Sequence, residues 1–126
     1  MSEQTNKPTV VWAEIAVSDL ERARQFYGAV LQRELNTVHD QGPNPMVPLS
    51  DMDDPTVSAH LYPGTPSEHG NTIHITAPGT LEEMMDRVSD AGGEVESDPI
   101  PLPIGRFCYV RDLDRNSIGL VEFTQG

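Results

Sequence analysis

The chain has 126 residues, of which 37 % are hydrophobic, and this size suits a single domain with an ordinary core. Its 20 acidic and 8 basic residues give a formal net charge of −12, so we expect neither nucleic acid nor an anionic membrane as a partner. No apolar run approaches the roughly 20 residues that span a bilayer, and the polar N-terminus lacks a secretory pattern, so we expect a cytoplasmic protein.

The first half of the chain predicts a strand, a helix and further strands. Residues 10–17, VVWAEIAV, alternate and are rich in β-branched types, which predicts a strand. In SDLERARQFYGAVL, residues 18–31, Ser18 and Glu21 match a capping box, and the apolar residues recur at helical spacing. Three segments then predict strands, namely ELNTVH (34–39), a short piece around MVPL (46–49) and TVSAHLY (56–62).

The second half repeats this order. NTIHITA, residues 71–77, predicts a strand, and Thr80 with Glu83 forms a capping box for an amphipathic helix. Gly92 and Gly93 are typical of a left-handed helix end. The segments GEVES (93–97), GRFCYVRD (105–112) and SIGLVEF (117–123) predict strands, and the prolines at 99, 101 and 103 indicate loops or sheet edges.

The repeat predicts an α+β fold of two βαβββ modules in one domain spanning residues 1–126. We expect the first module over about 8–62, a linker over about 63–70, and the second module over about 71–124. A unit of about 60 residues rarely buries enough apolar surface alone. The two modules are therefore expected to pack together or onto a partner chain.

This arrangement resembles the vicinal oxygen chelate superfamily, which includes glyoxalase I, bleomycin-resistance proteins and extradiol dioxygenases. The resemblance rests on VSDLERARQFY in the first module, AGGEV after the second helix, and RDLDRNSIGLVEF at the end. The opening W-x-E-I-x-V-x-D-L and the linker PS-x-x-G are similar to a branch of small glyoxalase-like proteins without an assigned reaction. The resemblance implies curved sheets that form a cleft, with a divalent metal (Zn, Ni, Fe or Mn) held by one side chain from each of four strands.

The ligand positions that the resemblance implies are only partly filled. They fall on Trp12, on Thr72 (or His74 if the loop differs by two residues), on His60 and on Gly119. Tryptophan and glycine side chains cannot ligate a metal, so a standard glyoxalase site is not expected. Two positions where the family usually has glycine carry other residues, Gln32 and Arg115.

Strand periodicity indicates a different ligand set. Glu14 lies two residues beyond Trp12, and His74 two beyond Thr72, so each shares a strand face with an implied ligand position. If His60 also points inward, Glu14, His60 and His74 could form a facial triad for a metal. The alternatives are a metal-free polar pocket, in which Arg106, Arg111 or a tyrosine pairs with Glu14, and purely structural roles. Glu122 has the opposite strand parity from Gly119 and is expected to face away from the cleft.

Three functions follow from these expectations. The first is a glyoxalase-like protein that binds a small oxygenated metabolite between the modules, with metal-assisted lyase, isomerase or dioxygenase chemistry in which Glu14 is ligand or general base. The second is a non-catalytic protein that binds or sequesters a small molecule, with no metal; a structural or interaction module has least support. We expect a homodimer that buries the open sheet edges. The expected pocket comprises Trp12, Glu14, His60, Thr72, His74, Phe107 and Gly119.

Overall fold

Two helices and two separate sheets make up the part of the chain that the computed structural model describes, residues 12–39, 45–50, 58–67 and 69–124. In the first half, the elements are β1 (Trp12–Val17), α1 (Leu20–Leu31), β2 (Val47–Pro48) and β3 (Ser58–Pro63). In the second half, they are β4 (Ile73–Thr76), α2 (Leu81–Asp90), β5 (Glu94–Val95), β6 (Ile100–Leu102), β7 (Gly105–Arg111) and β8 (Ser117–Phe123). The predicted α+β fold, with the strand–helix–strand order repeated in both halves, is confirmed. The residue boundaries of modules and linker stay a prediction.

Each half forms its own sheet. The first sheet has the order β1-β3-β2, in which β1 pairs with β3 in parallel and places Glu14 opposite His60. The second has the order β4-β8-β7-β5, and its parallel pair, β4 with β8, places His74 opposite Gly119. In each half the chain passes through the helix to the far edge of the sheet, and its later strands return toward the first strand. The last strand of each half therefore lies beside the first and runs parallel to it.

Two strand predictions differ from the structure. The strand predicted over 34–39 is reduced to a single antiparallel bridge between Val38 and Met46. Conversely, β6 forms in a proline-rich segment that indicated loops or edges, and it pairs with the same edge of β7 as β5 does. Pro101 is tolerated there because an edge position does not require its missing N–H group.

The two helices begin in different ways. At α2 the predicted capping box is confirmed, since Glu83 N donates to Thr80 Oγ1 at 3.2 Å and Thr80 N donates to Glu83 Oε1 at 2.8 Å. At α1 the prediction was wrong, because the cap is Asp19, whose side chain accepts from Arg22 N at 3.1 Å. The Ser18 hydroxyl instead donates to Asp114 in the second half, a long-range partner that a local motif does not reveal.

Both halves share one apolar core. Helix α1 packs on β3, α2 packs on β5, β7 and β8, and the helices contact each other. The buried side chains come from both helices and from one face of each sheet, and they include Ile15, Val17, Phe26, Val30, Leu61, Leu81, Met84, Cys108, Val110, Ile118 and Leu120. Because alternate residues of a strand point to opposite sides, the other face of each sheet looks away from this core.

A buried carboxylate joins the halves. Asp112, which follows β7, accepts hydrogen bonds from Tyr27 Oη at 2.6 Å, Asp114 N at 2.9 Å and Asn116 N at 2.8 Å. Asn116 Nδ2 also donates to Asp112 at 3.0 Å and to the Ala16 carbonyl at 2.8 Å, which reaches β1. Burial, together with the adjacent Asp112, raises the pKa of Tyr27 well above its ordinary value, so the phenol stays a hydrogen-bond donor.

Among the residues that the structure describes, two that are not glycine have left-handed backbone conformations, at the two positions noted in the sequence. Gln32 has φ 56° at the end of α1, and Arg115 has φ 66° in the turn between β7 and β8. Both turns therefore form although a larger residue replaces the usual glycine. Each left-handed conformation of such a residue costs of order 1–3 kcal/mol. Within the described residues, neither helix is long and apolar enough to cross a membrane.

Candidate functional site

The outward face of the first sheet carries Trp12 and Glu14 on β1 and His60 and Tyr62 on β3, and we call these four residues the first open face. On β1, Trp12 and Glu14 alternate with Ile15 and Val17, which are buried in the core. Trp12 is 38 % exposed, whereas His60 is only 9 % exposed beneath it. The face thus presents an aromatic ring and a carboxylate to solvent above a nearly buried imidazole.

Contacts on the first open face fix the orientation of His60. Trp12 Nε1 donates a hydrogen bond to His60 Nδ1 at 2.7 Å, and His60 Nε2 lies 3.5 Å from Glu14 Oε2. Because Nδ1 accepts, the proton of the neutral imidazole lies on Nε2, on the side of Glu14. The Tyr62 ring packs edge-on to His60, with centroids 6.2 Å apart.

The two arginines considered as partners of Glu14 form ion pairs elsewhere. Within the residues that the structure describes, Arg106 pairs with Glu82 at 2.8 Å and also with Glu122, on the helix side of the second sheet. Arg111 pairs with Glu96 at 3.0 Å. The residue that lies against Glu14 is His60, which strand register places directly opposite it.

The outward face of the second sheet forms an aromatic cluster. We define the second open face as Thr72, His74, Phe107, Tyr109 and Gly119. The His74 ring centroid lies 5.5 Å from that of Phe107 and 6.1 Å from that of Tyr109, and the last two rings meet edge-to-face at 5.2 Å. Such tilted and edge-to-face contacts are the favoured arrangements of aromatic rings.

Polar contacts border this aromatic cluster. The hydroxyl oxygens of Thr72 and Ser117 lie 2.5 Å apart at one end of the face. Ser117 was not identified from the sequence, although its parity with Gly119 on one strand was an available signal. Thr76 Oγ1 donates to the Val121 carbonyl at 2.7 Å and is thereby held against the sheet.

Gly119 makes room for His74. A methyl group built on Gly119 would lie 2.8 Å from His74 Cγ and closer still to Nδ1 and Cε1. The His74 imidazole therefore occupies the space that a side chain at position 119 would fill, and it lies across the strand pair. The sequence showed only a glycine at an implied ligand position, whereas the structure shows what occupies the space.

Substitution of Gly119 by alanine is expected to lower the free energy of unfolding by about 1–3 kcal/mol, because the added methyl group overlaps the His74 ring. In a His74→Ala background the same change is expected to cost about 1 kcal/mol or less, since the obstructing ring is gone. Urea unfolding of the four proteins measures both costs. Equal costs in the two backgrounds would show that Gly119 does not accommodate His74.

On the opposite side of the second sheet, charged side chains form an ion cluster at the start of α2. Glu122 accepts from Leu81 N at 2.9 Å and from Arg106, so it faces the start of α2 and away from His74, as strand parity predicts. The hydrogen bonds from the Arg106 guanidinium lower the pKa of Glu82 to about 2 and also lower that of Glu122. This ion cluster anchors the helix and takes no part in either open face.

The donors for a divalent metal are not assembled within the described part of one chain. No group of three or more His, Cys, Asp or Glu side chains there is placed to hold a metal ion. Glu14 and His60 lie together on the first sheet, whereas His74 lies on the second, across the shared core. The triad of Glu14, His60 and His74 stays a prediction.

The family model of the Glyoxalase/Bleomycin resistance protein/Dioxygenase superfamily matches residues 9–120. No curated protein sequence matches the chain.

Solved structures with the same fold come from several bacteria. A hypothetical protein from S. aureus is 22 % identical, with 87 % of this chain and 93 % of that chain covered and a TM-score of 0.63. The fosfomycin resistance protein FosX from Listeria monocytogenes is 16 % identical, covering 95 % and 94 %, with a TM-score of 0.64. A glyoxalase/bleomycin resistance protein from Albidiferax ferrireducens is 23 % identical, covering 90 % and 98 %, with a TM-score of 0.61. At these identities the likeness shows the fold alone.

Proposed function

This chain belongs to the glyoxalase/bleomycin resistance protein/dioxygenase superfamily, and from that premise we propose that it binds a small oxygenated molecule against its two open faces. The resemblance stated from the sequence, and the glyoxalase-type fold that it implied, are confirmed. The observation that carries the proposal is the composition of the faces: each holds a histidine between aromatic rings with a polar group beside it. Small-molecule sites are typically apolar surfaces with a few polar groups that fix orientation.

The proposed pocket combines both open faces. The first contributes Trp12, Glu14 and His60, and the second contributes Thr72, His74, Phe107 and Gly119. In one chain each face lies on the side of its sheet opposite the shared core.

In this proposal a second copy of the chain completes the cleft. The first open face of one copy would meet the second open face of its partner, which closes a cleft between modules. Exposed apolar side chains near the second face support such a contact, since Leu102 is 37 %, Ile104 52 % and Phe123 51 % exposed. A twofold dimer would form two equal clefts.

Metal-assisted catalysis is the second candidate. Members of the superfamily often hold a divalent metal, although no metal site is formed by the residues that the structure describes. The proximity of Glu14 to His60 favours a general-base role for Glu14, in lyase, isomerase or dioxygenase chemistry. A binder of the bleomycin-resistance type would use the same cleft without turnover. The cytoplasmic location stays a prediction.

Binding is tested by thermal unfolding with a panel of small hydroxyl-bearing compounds. A ligand at 100 times its Kd is expected to stabilise the protein by about 2.7 kcal/mol, and Glu14→Ala is expected to remove this effect. Glu34→Ala is the matched control, because Glu34 is exposed and lies outside both faces. If no compound raises Tm, or if Glu14→Ala responds as the parent does, the proposed site is contradicted.

Mass and metal content are measured on the same samples. Light scattering after size exclusion should give twice the chain mass if the cleft needs two copies. Elemental analysis of the untagged protein, with Glu14→Ala and His74→Ala, separates the two candidates. One metal per chain that is lost in both variants supports the triad and metal-assisted chemistry. A protein without metal in every sample contradicts the triad and leaves the metal-free binder.

A further inference from the structure

We infer that the hydrogen bond from Trp12 holds the His60 proton on Nε2, facing Glu14, and that this arrangement presents Glu14 as a metal-free acceptor for an N–H or O–H group of the ligand. The inference rests on the proposed function, because it names the chemistry by which the first open face would recognise that ligand. In this arrangement Glu14 contacts the ligand, whereas Trp12 and His60 act as positioning residues.

The position of the His60 proton follows from donor chemistry. The indole N–H of Trp12 can only donate, so His60 Nδ1, 2.7 Å away, must be an unprotonated acceptor. The remaining proton of the neutral ring then lies on Nε2, 3.5 Å from the Glu14 carboxylate. The side chain of His60 is only 11 % exposed, so water competes weakly for these contacts.

This arrangement opposes metal binding at His60. A histidine ligand needs a free lone pair at the coordinating nitrogen and a proton on the other nitrogen, which usually donates to an acceptor. Here the lone pair of Nδ1 is taken by Trp12, and the proton is on Nε2. Coordination through Nε2 would move that proton to Nδ1, where it would face the N–H group of Trp12, so two donors would meet in a nearly buried place.

The exposed side chains of Glu14 and Trp12 indicate the ligand class. The Glu14 side chain is 63 % exposed and can only accept hydrogen bonds while it is ionised. Beside it the exposed Trp12 ring offers an apolar and π-electron surface, which favours a flat or cationic group. The net charge of −12 disfavours anions near the face. The ligand is therefore a neutral or cationic compound in which a hydroxyl or amino group adjoins a flat apolar body.

The proton position on His60 is measured by nitrogen-15 NMR at about pH 8, where an ordinary histidine is neutral. We expect an unprotonated Nδ1 and a protonated Nε2 in the parent protein, and a loss of this preference in Trp12→Phe. Tyr62→Phe is the matched control, because Tyr62 also packs on His60 but makes no hydrogen bond to it. A protonated Nδ1 in the parent, or an unchanged preference in Trp12→Phe, would overturn the inference.

Metal competition provides a second readout. Zinc chloride titrated into the parent is expected to leave the His60 nitrogen signals in place, whereas Trp12→Phe is expected to bind zinc at His60 at least ten-fold more tightly, the lower end of the effect of such orienting contacts. Zinc coordination by His60 Nε2 in the parent would contradict the inference.

Ligand preference is tested with three probes that share one ring: benzyl alcohol, benzylamine and benzoate. The alcohol and the amine are expected to move the Trp12 indole signal at concentrations about ten-fold below those that benzoate needs, and Glu14→Gln should remove the preference for the amine. Equal or stronger binding of benzoate would overturn the ligand class. The proton measurement uses no ligand, so its failure overturns the inference alone, whereas a protein that binds no small molecule contradicts the proposed function.

Discussion

Replacement of Asp112 by alanine is expected to lower the free energy of unfolding by about 3–5 kcal/mol, since each buried donor left without an acceptor costs about 1–3 kcal/mol. Asp112 is 4 % exposed and receives hydrogen bonds from Tyr27 Oη, Asp114 N and Asn116 N. The Tyr27 hydroxyl is the most deeply placed of these donors, in a residue that is 1 % exposed. Urea unfolding followed by circular dichroism measures the loss.

Two variants show whether this loss comes from the buried network. Tyr27→Phe removes one donor together with its need for a partner, so we expect a smaller loss, about 1–2 kcal/mol. Asp98→Ala removes an exposed carboxylate and is expected to stay within about 0.5 kcal/mol of the parent. If Asp112→Ala is no worse than Asp98→Ala, the carboxylate does not hold the two halves together. A double-mutant cycle with Tyr27→Phe gives the coupling between them.

Loss of Asp112 is also expected to affect the two open faces. The turn that Asp112 organises begins β8, which carries Gly119, and its Asn116 side chain reaches the Ala16 carbonyl on β1. Loss of Asp112 is therefore expected to disturb the relative position of the two open faces as well as stability. Proteins with this variant should lose the proposed ligand binding at temperatures where the fold remains largely intact.

Gly105→Ala is expected to cost about 3 kcal/mol or more. Gly105 opens β7 with φ 156°, and a methyl group there would lie 2.9 Å from both Glu122 C and Phe123 Cα, and closer to the Glu122 carbonyl oxygen. The obstruction is backbone of the neighbouring strand, so a side-chain rotation cannot relieve it. The added strain of an unusual backbone conformation contributes of order 1–3 kcal/mol. We expect β7 and β8 to separate at this end, which moves Phe107 on the second open face.

A glycine without such a neighbour is the matched control. At Gly70 an added methyl group would lie at ordinary contact distance, 3.5 Å from the Ser67 carbonyl oxygen, so Gly70→Ala is expected to be nearly neutral. Chemical denaturation measures both variants, and amide exchange shows whether the β7–β8 pair opens. Equal stabilities of Gly105→Ala and Gly70→Ala would contradict the packing argument.

Much of the fold could be predicted because its signals are local. The capping box of α2 joins Thr80 to Glu83, three residues apart, and strand parity correctly placed Glu122 on the opposite side of β8 from Gly119. The order of the segments and their motifs led to the superfamily, which is confirmed. Local patterns failed where a distant partner intervened: Ser18 matched a capping motif, yet it binds Asp114.

The sequence by itself therefore determined most of the elements, the strand face of residues such as Glu122, and the family. Hydrogen bonds within a turn and the twofold alternation of side chains depend only on neighbouring residues. Only the tertiary structure decided which residues meet. It paired Glu14 with His60 in place of an arginine, directed the Trp12 indole onto His60, 48 residues away, and set His74 on a separate sheet. These contacts depend on sheet register and on the packing of both helices in one core, and they bring together residues that no local pattern connects.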